Sequence, residues 1–268
     1  MRCGAKALRR ATKPTQNPHG RGRGRFGVVC TISLVSVLLT AGQAWAETVN
    51  VAVAANFTAV AEELAEKFEA ESRHEVVLSF GATGQLYTQI TQAAPFDVFL
   101  AADTARPEKA IGEGFGVEGS FFVYAEGRLA LYGPGRDLSD GEAALREAFD
   151  KLAIADPAAA PYGAAAVETL TALGLFATLE PKLVQGENIS QTLQFVESGN
   201  AELGFVAASQ VLGKADQWLV PAELHEPIAQ GAVLLKEGEN NPAAAAFVGF
   251  LKSDDAVAVI EAAGYSVP

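Results

Sequence analysis

From Thr48 onward, short β-branched runs alternate with stretches in which apolar residues recur every three or four positions. The runs predict strands, the spaced stretches predict amphipathic helices, and their alternation predicts an α/β fold on mainly parallel sheets. Thr48 to Ala54 reads as a strand, followed by the turn Ala55-Asn56-Phe57. Val60, Leu64 and Phe68, spaced by four, mark the buried stripe of a helix whose polar positions include Glu62, Glu63, Glu66 and Lys67. Glu75 to Phe80 is a second strand, Gly81-Ala82-Thr83-Gly84 a turn, and Leu86, Ile90 and Ala94 the stripe of a helix that Pro95 ends. Phe96 to Ala101 is nearly all apolar, as in a strand buried on both faces, and runs into Ala102-Asp103.

Two β-rich runs, Phe121 to Ala125 and Arg128 to Tyr132, flank Glu126-Gly127, where the chain is expected to pass between lobes. A helix around Glu142 to Phe149, a strand Leu152 to Ala155, a turn Asp156 to Gly163 and a helix through Val167 and Leu170 come next. A helix from about Ser190 to Glu197, a strand Leu203 to Ala207, a β run Ile228 to Leu235 and helices Pro242 to Leu251 and Asp254 to Ala262 complete the pattern. The expected division is a first lobe over residues 47–124, completed by 224–268, and a second lobe over 125–223.

The first 46 residues differ in kind. They hold 8 of the 20 Lys and Arg and none of the 32 Asp and Glu, then the apolar run Gly27 to Ala41 and the triplet Ala44-Trp45-Ala46. That is the layout of an export signal, residues 1–46, cleaved after Ala46. A membrane anchor is the alternative, but the run is shorter than the ~20 residues that span a bilayer. Both cysteines, Cys3 and Cys30, fall in this segment, so the exported chain has no thiol for disulfides, catalysis or metal. The remainder has 12 basic and 32 acidic residues, a net charge of −20, which excludes a nucleic-acid partner held through its phosphates.

Most enzyme chemistries are also missing. His74 and His225 stand in separate segments and suggest neither a nucleophile relay nor a zinc cluster. There is no phosphate loop, no dinucleotide fingerprint and no nucleophile elbow. A carboxylate pair for acid/base work is conceivable, yet positions such as Glu62, Glu63, Glu66 and Glu69 read as a solvated helix face. What recurs is strand, short turn, helix: Asn56 and Thr83 stand in two such turns, and Tyr162-Gly163 and Asn188-Ile189-Ser190 open two further helices. Helix starts present unpaired N–H groups and the positive end of the macrodipole, so several converging would hold an anion without Lys or Arg. Ordinary helix capping by Asn, Thr and Ser is the other explanation for these residues.

Val51-Ala-Val-Ala-Ala-Asn56-Phe-Thr58, Ser79-Phe-Gly-Ala-Thr83-Gly-Gln-Leu86, Ala94-Pro-Phe-Asp97-Val-Phe-Leu-Ala-Ala-Asp103, Asp156-Pro157 with Pro161-Tyr-Gly163, and Leu203-Gly-Phe-Val-Ala207 carry a resemblance. From Thr48 to its end the chain resembles the periplasmic molybdate-binding proteins of ABC transporters. The resemblance implies a two-lobe type II periplasmic binding protein with mixed, mainly parallel sheets and an interlobe ligand cleft. It implies capture of molybdate, and of tungstate, as dehydrated tetrahedral dianions for a permease and its ATPase, by a periplasmic monomer that is no enzyme and carries no cofactor. Metal ligation is not expected, since molybdenum would be held only through its oxyanion oxygens.

Carried onto this chain, the ligand positions fall on Asn56, as in an Asn-containing subgroup, on the Thr83 hydroxyl, on Tyr162 and on the backbone N–H of Ile189. Many members have a Tyr hydroxyl where this chain has Ala207, and Tyr162 is expected to supply it instead. A receptor for sulfate, phosphate or a small organic acid on the same fold is the alternative; an amino-acid or carboxylate receptor would want a buried Arg as a bidentate partner, and no Arg lies in the four turns.

Overall fold

The computed structural model of the protein describes residues 46–268; the expected export segment, apart from Ala46, lies outside the described residues. The elements of the first half are β1 (Thr48–Ala54), α1 (Thr58–Ser72), β2 (Glu75–Gly81), α2 (Thr83–Thr91), β3 (Val98–Leu100), α3 (Ala105–Gly112) and β4 (Phe122–Gly127). Next come β5 (Leu129–Tyr132), α4 (Gly141–Arg146), β6 (Leu152–Ala155), α5 (Pro161–Ala172), α6 (Phe176–Leu179), β7 (Leu183–Gly186) and α7 (Ile189–Glu197). The chain ends with β8 (Leu203–Ala207), β9 (Gln217–Leu219), β10 (Ile228–Leu234), α8 (Pro242–Phe250) and α9 (Asp254–Ala262).

Two five-stranded sheets result, in the orders β2-β1-β3-β10-β4 and β7-β6-β8-β5-β9. In the first, β1 runs parallel to β2 and β3, while β10 runs antiparallel to β3 and β4. In the second, β6 is parallel to β7 and β8, and β5 is antiparallel to β8 and β9. Parallel pairing is therefore half of each sheet, less than the alternating pattern suggests, because a strand re-entering from the other half of the chain has no crossover helix to set it parallel. The chain leaves the first sheet after Gly127, crosses through Arg128 alone, and returns between Leu219 and Ile228. The tail straps this passage, with Glu126 N–H donating to Ser266 O at 2.7 Å and Ser266 N–H to Glu126 O at 3.1 Å.

Each sheet carries its own apolar core. Val49, Val51 and Val53 of β1 pack with Phe57, Leu64, Phe68 and Phe247 on one side of the first sheet. The stripe Val60, Leu64 and Phe68 is buried as its spacing requires, and Phe68 meets Phe247 edge to face at 5.2 Å. Leu129, Leu131, Leu152, Ile154 and Phe205 form the corresponding core of the second sheet with Leu170 of α5. The described residues include no single helix long and apolar enough to cross a bilayer.

Several boundaries differ from those the pattern predicts. α2 ends at Thr91, short of Ala94, because Ala93 takes a left-handed conformation with φ of 61° that no helix continues. α5 begins at Pro161, inside the segment read as a turn, since Pro is pre-set for a first helical position whose N–H would go unused. β4 continues to Gly127, so Ala125, Glu126 and Gly127 pair in the first sheet. The pattern gives no sign of α3, β7 or β9.

Candidate anion site between the two sheets

The turns after β1 and β2 and the starts of α5 and α7 meet at one place. Asn56, Thr83, Tyr162 and Ile189 all line a single small cavity, with Ala54, Ala55, Gly81, Ala82, Ala102, Ala160, Pro161 and Asn188. None of these residues is ionisable in the working range of a protein, except the Tyr162 phenol. The free space is about 10 Å³, roughly what one water molecule needs. A wider cleft of about 370 Å³ lies alongside, but Asp103, Glu168 and Glu226 line it with only Arg106 in return, which is unfavourable for an anion. Among the described residues no group of three or more His, Cys, Asp or Glu could hold a metal ion.

Hydrogen bonds decide what the cavity offers. The backbone N–H groups of Asn56, Thr83, Tyr162 and Ile189 have no acceptor among the described residues. At α7 the reason is explicit: Asn188 Oδ1 takes the N–H groups of Ser190 and Gln191, both at 3.0 Å, and Asn188 O takes that of Thr192 at 3.1 Å. Ile189 N–H is the one first-turn donor left over, and Ile189 is buried. At α2, Gly84 N–H donates across to Ala159 O at 2.8 Å and Leu86 N–H to Ala82 O, leaving the N–H of Gln85, which is exposed, and that of Thr83, which is buried. Burying such donors without a partner is unfavourable, so the cavity is built to be completed by an acceptor.

Thr83 contributes twice. Its Oγ1 accepts from the N–H of Ala102 at 3.0 Å, so the hydroxyl proton is what it has left to give. The Asn56 side chain behaves otherwise: its Nδ2 donates to Gln230 Oε1 at 2.9 Å and to Tyr265 Oη at 3.1 Å, so both amide protons are already in use. What Asn56 keeps free beside the cavity is its backbone N–H.

The Tyr162 hydroxyl, expected to reach the anion, is itself held from behind. The ring runs to the passage between the sheets, where Oη accepts from Gln230 Nε2 at 3.3 Å, and a Cβ on Gly127 would lie 2.0 Å from it. Only a glycine at the end of β4 leaves room for that hydroxyl. Tyr162 brings an unpartnered N–H to the cavity, and the proton of its hydroxyl is not used by Gln230.

Behind the cavity lies a buried polar cluster that the sequence did not suggest. Gln230 of β10 is fully buried, and its Oε1 accepts from Asn56 while lying 3.0 Å from Tyr124 Oη. Tyr265 Oη donates to Asn56 O at 2.9 Å and pairs with Ser209 Oγ at 2.8 Å. Burial pushes the phenols of Tyr124, Tyr162 and Tyr265 upward, so all three stay protonated well past neutrality. The one available signal was Gln230 itself, a polar residue inside the apolar run Ile228 to Leu234.

Contacts on the opposite side of the cavity also join the two sheets. Arg106, held by the Asp103 carboxylate, donates to Ala158 O at 2.8 Å, and Ser190 Oγ donates to Ala55 O at 3.0 Å. A side chain at Gly84 would press on the Ala159 backbone at 3.1 Å, so this approach also needs glycine.

Comparisons with known proteins agree with this geometry. A model of bacterial extracellular solute-binding proteins matches residues 49–266. The molybdate-binding protein ModA of Rhodobacter capsulatus is 50% identical over 237 residues, covering 87% of this chain and 94% of that protein. ModA of Azotobacter vinelandii is 49% identical over 248 residues, covering 88% of this chain and 98% of that protein. Among solved structures, a periplasmic molybdate-binding protein of Azotobacter vinelandii superposes with a TM-score of 0.77 at 38% identity, covering 82% of this chain and 99% of that one.

Proposed function

We propose, for a chain that belongs to the bacterial extracellular solute-binding proteins and among them to the molybdate-binding proteins, that it captures molybdate outside the cytoplasmic membrane and hands it to an ABC importer. The observation that carries this reading is the convergence of four uncommitted backbone N–H groups and the Thr83 hydroxyl on a cavity without charged side chains. Fixed dipoles of this kind replace the hydration shell of a dianion without the cost of burying a cation. Each of these five groups is a donor. A fully deprotonated tetrahedral dianion satisfies such a set, whereas hydrogen phosphate brings a proton that asks for an acceptor.

Tungstate, with the same shape and charge, binds at the same place in this reading, and Asn56, Thr83, Tyr162 and Ile189 are its ligand residues. The protein works as a monomer without a cofactor and without turnover. It is exported by cleavage after Ala46, and its lobes close about the two passages near Gly127 and Ile228. Isothermal titration of residues 47–268 with molybdate, tungstate, sulfate and phosphate tests this. Tight binding of the first two and weak or absent heats with the others are expected; equal heats for sulfate and molybdate overturn the specificity.

A further inference from the structure

One side chain touches both halves of the site without lining it. Gln230 sits on β10, the strand by which the chain re-enters the first sheet, and is fully buried. Its Oε1 holds the amide of Asn56, from the turn after β1 of the first sheet. Its Nε2 holds the hydroxyl of Tyr162, from the first turn of α5, which packs on the second sheet. Asn56 and Tyr162 each present a free N–H to the cavity, so this amide ties together the turns that carry those donors, alongside the Gly84–Ala159, Ser190–Ala55 and Arg106–Ala158 contacts. Tyr124 Oη also lies 3.0 Å from Oε1 and 3.2 Å from Ala101 O, so its one proton is shared between these two acceptors. Gly127 supports the arrangement, because a Cβ there would lie 2.7 Å from Gln230 Nε2 as well as on the Tyr162 hydroxyl.

We propose that Gln230 is a positioning residue for anion binding, joining the anion-binding turn of the first sheet to that of the second at the spacing where their N–H groups converge. It never meets the anion. It acts through Asn56 and Tyr162, and the inference rests on the oxyanion reading of the cavity. The joint exists only when both turns are in place, so its loss frees them to move apart. Dissociation then speeds up, while the encounter of anion and protein is left alone.

A double-mutant cycle in binding tests this, with Gln230→Met, Tyr162→Phe and the pair, each titrated with molybdate and each melted in parallel. The phenylalanine variant keeps the ring and the N–H and deletes only the hydroxyl that Gln230 holds. Each single change is expected to raise Kd about tenfold through a faster off-rate, and the pair is expected to lose about tenfold as well, where independent effects would multiply to about a hundredfold. A side chain that only stabilises the fold would lower the melting temperature and give losses in Kd that are absent or multiply. Either result overturns the proposal. If Gln230→Met does not fold, Tyr162→Phe alone still decides, because an unchanged Kd in a folded variant removes the joint. A wild-type protein that binds none of the four oxyanions removes the oxyanion reading and this inference together; multiplying losses in a wild type that binds remove this inference alone.

Discussion

At the scale of single residues, what matters is which donors the fold has already used. Thr83 Oγ1 accepts from Ala102 N–H, so Thr83→Ala removes the donor to the anion and also orphans a buried N–H. A hydrogen bond to a charged acceptor contributes ~1.5–3 kcal/mol, so affinity for molybdate is expected to fall on the order of ten- to a hundredfold in titration. The variant should also melt lower, and Thr83→Ser should restore most of both. A variant that melts lower but binds as well as the parent would leave Thr83 as a cap alone. Reading residue types along the chain brought out Asn56, Thr83, Tyr162 and Ile189 but could not say which atom of each is free. That depends on Gln230, Tyr265 and Ala102, which lie 174, 209 and 19 positions away from the residues they bond. No local pattern records those distances.

At the scale of elements, legibility followed burial. Leu152–Ala155 and Leu203–Ala207 are strands with the limits the sequence predicts, because both are apolar throughout and central in their sheet. β7 and β9 lie at the two edges of that sheet, are only three or four residues long and carry Gln185 and Gln217, so half-exposed edges leave little periodicity to read. α3 escaped notice because Pro107 stands in it, harmless in a first turn whose N–H groups need no helical partner. That helix nonetheless places Arg106 against Ala158 O of the turn before α5. Arg106→Ala removes a partly exposed contact of ~0.2–1 kcal/mol, and a dissociation rate two- to fivefold faster, roughly, is expected by stopped flow. Arg106→Lys keeps the charge but cannot serve Asp103 and Ala158 together. If the contact matters it should behave like the alanine variant; a lysine variant equal to wild type would assign the effect to charge alone.

At the scale of the whole molecule, the acidic body and the neutral cavity pull in opposite directions. A net charge of −20 over residues 47–268 repels an incoming dianion, and salt screens that repulsion. Association with molybdate is therefore expected to accelerate as salt is added, and Kd to tighten slightly. A Kd that weakens with salt would reveal a cationic contact. The three buried phenols set a second limit. Tyr124, Tyr162 and Tyr265 keep their protons in the folded protein to higher pH than in the unfolded chain, where tyrosine ionises near pH ~10. Above that point the folded state binds more protons than the unfolded one, so stability falls as pH rises; below it their contribution is complete. Urea unfolding between about pH 8 and 11 should show a plateau followed by a decline, and in a Tyr87→Phe, Tyr132→Phe background, which leaves only the three cluster phenols, tyrosinate absorbance should appear only as the protein unfolds. An early tyrosinate signal in the folded state would contradict the buried cluster.

A cradle of backbone N–H groups has no setting other than on. Amides neither titrate nor exchange their charge, and the nearby phenols hold their protons across the range in which cells live. Neither acid nor salt therefore switches off the donors of the cavity itself. The only variable left is the distance between the turns of the two sheets, so unloading is mechanical work: the sheets must be drawn apart, by thermal opening or by whatever takes the cargo away.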